Sequence, residues 1–68
     1  MPFVNIRIVA GHSQARKDEI ARRVADTIAE VAVVPKEAVW VVFEDVQAED
    51  WYVGDTAVSE LRRRAAKP

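Results

Sequence analysis

Cysteine is absent from this chain. That removes disulfides and thiolate metal sites as sources of stability, and it fits a reducing compartment. There is one histidine, His12, which argues against a histidine-built metal centre. Excess charge is missing too: 10 basic residues face 11 acidic ones, for a net charge of −1 and a pI near 5.7. Nucleic acids and anionic membranes therefore find no general positive field to bind. No apolar run approaches the roughly 18 residues of a membrane span, and no basic segment leads into an apolar leader, so a cytoplasmic location is expected. No internal repeat, linker or low-complexity segment interrupts the chain. Its 68 residues allow a single domain, 1–68, of a size that usually needs outside help for secure stability. Half of the residues are hydrophobic, so apolar surface shared between subunits is the remaining route.

The apolar residues are arranged in periods. From Pro2 to Val9 the stretch PFVNIRIV alternates, with Pro2, Val4, Ile6 and Ile8 on one face and Phe3, Asn5, Arg7 and Val9 on the other. AGHS ends that strand, because Gly11 suits a turn and Ser13 is placed to cap a helix. From Gln14 to about Ala32, Ile20, Val24, Ile28 and Val31 recur at helical spacing. Arg16, Lys17, Arg22 and Arg23 read as a solvated face of that helix. Pro35 closes the segment, and VWVVFEDV, residues 39–46, reads as a second strand buried on both faces. Strand, long helix and strand make a right-handed β-α-β unit with parallel strands. One helix cannot cover both faces of such a sheet, which repeats the expectation of an oligomer. The fold class is thus α/β (α+β). A short strand or hairpin is expected near Tyr52–Gly54, and a flexible basic tail over residues 61–68.

Few residues here are suited to chemistry. A proline directly behind Met1 is a poor sheet donor inside a chain, yet with the methionine removed it carries a free secondary amine. An α-amine titrates near ~8. Apolar surroundings or nearby cations disfavour its charged form and make it a base near neutrality. His12 lies just past the first strand, where parallel α/β units gather their sites; an exposed turn histidine is the plainer reading, and a donor to a carboxylate or enolate oxygen the functional one. Trp40 fits a core or interface anchor. Trp51, in a polar loop, is available to line a pocket or pack on a partner. Arg62, Arg63 and Arg64 are too few for a nucleic-acid surface. Glu44, Asp45, Glu49 and Asp50 include candidates for activating water, though exposure explains them as well.

Read in order, these pieces resemble the 4-oxalocrotonate tautomerase family. The resemblance rests on Pro2, the Gly-x-Ser-x-x-x-Lys pattern of Gly11, Ser13 and Lys17, and the Trp-x-x-Gly of Trp51 and Gly54. It covers roughly residues 2–60 and implies a cofactor-independent isomerase assembled as a homohexamer, each pocket built from more than one subunit. It also implies that Pro2, as the mature N-terminus, is the general base that moves a proton between the enol and keto forms of a small 2-hydroxydienoate or 2-keto acid. No cofactor and no metal is called for, since the substrate's own carbonyl serves as electron sink. Trp51 matches the aromatic that keeps such a site apolar. Two substrate-binding positions that carry arginine in most members hold His12 and Trp40 here. An indole offers one donor and no charge, and an imidazole a pH-dependent one, so a dicarboxylate loses its usual grip. A smaller or more aromatic enol acid fits better.

Two other readings remain open. On the same scaffold, chloroacrylate dehalogenases and malonate semialdehyde decarboxylase add water; here Val9 and His12 stand where one dehalogenase subunit carries an arginine pair. Alternatively the chain is a non-catalytic oligomeric homologue.

Overall fold

The computed structural model describes residues 1–66. Strand β1 (Phe3–Val9) leads into helix α1 (Gln14–Ala32), and a single 3-10 turn at Lys36–Ala38 precedes β2 (Trp40–Val46). A second such turn, Ala48–Asp50, is followed by β3 (Tyr52–Val53), β4 (Thr56–Ala57) and helix α2 (Val58–Ala66). β1 and β2 pair in parallel, Phe3 opposite Trp40 through Val9 opposite Val46. Backbone bonds close both ends of the pair: Trp40 N donates to Pro2 O at 2.9 Å and Ala10 N to Val46 O at 2.7 Å.

The helix boundaries follow from local chemistry. Gly11 turns the chain at φ 126°, a conformation that disfavours any side chain. Ser13 then caps α1, its Oγ accepting from Arg16 N at 3.2 Å. At the other end Val33 adopts the left-handed conformation (φ 56°, ψ 57°) and its N–H returns to Ala29 O. Pro35 lies just beyond, where a helix cannot continue.

One face of the sheet packs on α1. Val4, Ile6, Ile8, Val41 and Phe43 are half-buried there against Ile20, Val24 and Ile28 and the small residues Ala21, Ala25 and Ala29. Two expectations for α1 change. Val31 is 76% exposed although the 3.6-residue period keeps it on the stripe of Ile20 and Val24, because nothing in the single chain covers that stripe in the last turn of α1. Lys17 turns inward from the solvated face: its Nζ meets Asp45 Oδ2 at 2.5 Å with only 17% of the side chain exposed, tying the start of α1 to β2.

The opposite sheet face is bare in the single chain. Phe3 and Trp40 are 60% and 53% exposed, and Val42 is exposed beside them. β2 is therefore covered on one side only, not on both, because the chain has one long helix to offer. Farther along this face the residues turn polar: Asn5 Nδ2 donates to Glu44 Oε1 at 2.7 Å, and Arg7 Nε approaches Glu44 Oε2 at 3.6 Å.

Beyond β2 a hairpin forms as expected, β3 and β4 pairing antiparallel around Gly54-Asp55 with Gly54 at φ 65°. The basic segment is helical through Ala66, with Glu60 bridging Arg63 and Arg64; Lys67 and Pro68 lie outside the described residues. Hairpin and α2 extend the molecule to 47 × 23 × 17 Å, with a radius of gyration of 15.6 Å. A compact chain of this length would measure roughly 11 Å.

Candidate active site

The sheet distributes the four candidate residues to two places. At the start of the strands, Pro2 is half-buried and its carbonyl accepts from the backbone N–H of Trp40. Parallel pairing thereby puts Pro2 and Trp40 at the same end of the sheet, with the Trp40 side chain on the Phe3 face and Pro2 on the Val4 face. His12 and Trp51 belong to the other end. His12 follows β1 by three residues and Trp51 follows β2 by five. The seven residues of β1 hold the two ends roughly 20 Å apart at a strand rise of ~3.3 Å. One chain therefore does not bring all four together.

Trp51 is half-buried, and its carbonyl accepts from Val58 N at 2.7 Å, which anchors the start of α2. Its side chain lines a cleft of about 220 Å³ together with Arg7, Val46, Asp50 and Tyr52. Sequence reasoning placed Arg7 on a strand face and gave it no role. The available signal was its odd position in β1, which puts it opposite the charged β2 residue Glu44, not among the apolar pairs. Of the acidic candidates, Asp45 is engaged by Lys17, Glu44 by Asn5 and Arg7, and Asp50 sits on the cleft wall. No set of three or more His, Cys, Asp or Glu side chains among the described residues is grouped as a metal site would need. No described helix is long and apolar enough to cross a membrane.

A β-α-β unit with a terminal hairpin, a proline at the head of its first strand and an aromatic cleft at its far end defines a recognisable class of protein. The family model described as tautomerase enzyme matches residues 2–61, and the chain belongs to that family. A probable tautomerase of Streptococcus mutans is 40% identical over 52 residues, covering 76% of this chain and 85% of that one. Among solved structures, a 4-oxalocrotonate tautomerase isozyme of Methylibium petroleiphilum superposes with a TM-score of 0.84 at 30% identity, covering 88% of this chain and 97% of its own. A subunit of the heterohexameric 4-oxalocrotonate tautomerase of Chloroflexus aurantiacus superposes at 0.85 with 31% identity, covering 91% of this chain and 100% of its own. The parallel sheet, long helix and hairpin are thus a tautomerase fold, and membership supports isomerase activity in general.

Proposed function

We propose that this protein is a cofactor-independent tautomerase in which Pro2, freed by removal of Met1, is the general base. Its substrate is a small 2-hydroxydienoate or 2-keto acid. The ring nitrogen takes the proton from the enol hydroxyl and returns it to a carbon of the conjugated chain; in the reverse sense it takes an α-proton. The carbonyl of the keto form holds the electron pair, so no further electron sink is required. His12 donates to the developing enolate oxygen, where a hydrogen bond is worth more than in the ground state. The apolar surroundings of Trp40 and Trp51 favour the uncharged amine.

The observation that carries this reading is that Pro2 and Trp40 share one end of the sheet, joined by the Trp40 N–H to Pro2 carbonyl bond, while His12 and Trp51 follow the strands at the other end. A second copy, its β1 running antiparallel about a two-fold axis, sets the two ends against each other. The bare face with Phe3, Trp40 and Val42 provides further surface for assembly. The pocket is then shared between subunits, and a homo-oligomer of the hexameric kind is the natural form. The heterohexameric assembly of the Chloroflexus relative supports this reading.

The test follows ketonisation of a 2-hydroxydienoate by ultraviolet absorbance. Pro2→Ala is expected to lower kcat by about 10²–10⁴, the range for loss of a general base. Unchanged turnover would discard Pro2 as base. Intact mass from native cells is expected to show the chain without Met1, since an acylated proline nitrogen takes no proton.

A further inference from the structure

We infer that the Trp51 cleft selects the acid, with Arg7 receiving a single carboxylate and Asp50 turning away a second. This rests on the tautomerase reading, which supplies an acidic substrate, and it names the cation that His12 and Trp40 leave missing.

Most other cations already have carboxylate partners. Lys17 is held by Asp45, Lys36 by Asp26, Arg22 and Arg23 by Glu19, and Arg63 and Arg64 by Glu60. Arg16 and Arg62 have no carboxylate within 4.0 Å among the described residues, but they lie on helices and do not line the cleft. Arg7 does line it. Its one ionic neighbour among the described residues, Glu44, is 3.6 Å away, beyond hydrogen-bond length, and both side chains are half or more exposed. An exposed pair of that kind is weak, so an incoming carboxylate displaces it at little cost. A guanidinium beside two aromatic side chains suits a conjugated acid, whose carboxylate takes the paired N–H groups while its flat remainder stacks.

The same walls set a limit on charge. Asp50 lines the cleft and Glu44 stands beside Arg7, so one cation is accompanied by two anions. A monoanion places its charge at Arg7 and its neutral end on Trp51 and Tyr52. A rigid dianion must bring its second carboxylate toward Asp50, and like charges at short range repel. At about 220 Å³ the cleft falls below the roughly 300–1,000 Å³ of pockets for larger ligands, which matches a compact acid. Pro2 of the same chain lies at the far end of β1 on the other face, so the cleft serves the Pro2 of a neighbouring copy.

Titration calorimetry of the assembled protein at neutral pH tests this with cinnamate and trans,trans-muconate, a monoacid and a diacid that undergo no turnover. Cinnamate is expected to bind about tenfold or more tightly than muconate, and Arg7→Ala to weaken cinnamate by at least about tenfold, as for loss of a charge-assisted bidentate contact. Asp50→Asn is expected to tighten muconate several-fold and leave cinnamate within about twofold, which also guards against an Arg7 variant that fails to assemble. Cinnamate binding unchanged in Arg7→Ala, absent in the wild type, or no tighter than muconate would overturn the assignment. Because these titrations involve no proton transfer, such a result leaves the Pro2 reading to stand or fall on its own kinetics.

Discussion

At position 40, at the same sheet end as the proposed base, an indole stands where the family resemblance implies a guanidinium. Trp40→Arg is expected to raise kcat/KM for a dicarboxylate enol about tenfold relative to a monoacid, because it returns a permanent paired donor. Competitive rate measurements with 2-hydroxymuconate and a phenyl-substituted enol acid check it; an unchanged ratio would remove Trp40 from substrate selection. Legibility at this scale was uneven. Pro2, His12, Trp40 and Trp51 could be singled out as residue types suited to chemistry or packing, and the family resemblance gave His12 and Trp40 a place in substrate binding. Arg7 did not, because one arginine in an alternating strand looks like any other exposed position until the partner strand and the following loop are set around it.

Among the elements, α1 carries the clearest internal tensions. Val33 ends it in the left-handed region, where a β-branched side chain is strained by roughly 1–2 kcal/mol. Val33→Gly is expected to stabilise the protein by about 1 kcal/mol in urea unfolding at fixed protein concentration. In contrast, Lys17→Met should cost up to about 1 kcal/mol, since it removes the ion pair with the partly exposed Asp45 where α1 meets β2. Acid acts on the same helix. Hydrogen bonds from Arg22 and then Arg23 hold the Glu19 carboxyl below its ordinary value of 4.5, despite opposing desolvation. A depressed folded-state pKa contributes stability above the unfolded value, and that contribution is lost as pH falls through the folded one. Helical circular dichroism should accordingly fall on acidification below about 4.5, and Glu19→Gln should flatten that limb. β1, α1 and β2 were readable, because capping, Pro35 and the apolar periods are local signals. The misplacement of Val31 and Lys17 has one cause: whether the rest of the chain reaches a residue near a helix end is decided only by the packing.

As a whole molecule the single chain is barely closed. Ala25, at 8% exposure, is the only buried core residue among those described. On the proposed assembly, a chain with so little interior and an open apolar sheet face gains stability from its copies, and that stability rises with protein concentration. Thermal unfolding is expected to shift several degrees downward on hundred-fold dilution, in step with dissociation by sedimentation. Phe3→Asp, on the bare face, should abolish assembly and leave a largely unfolded chain; a stable folded monomer would contradict the reading. Here the sequence spoke clearly as well, since apolar residues on both faces of β2 have too few partners within 68 residues.

The sequence by itself determined β1, α1 and β2, where they stop, and that apolar surface exceeds what one chain can cover, but not the helix α2 that runs through the basic segment expected to be a flexible tail. What it determined follows from periods, caps and chain length, all of which are local or additive. Only the tertiary structure decided that Phe3 lies opposite Trp40 and Arg7 opposite Glu44. It also joined Arg7 to Trp51 in one cleft. Those relations depend on the register between strands far apart in the chain, and a one-residue slip would redistribute every side chain between the faces.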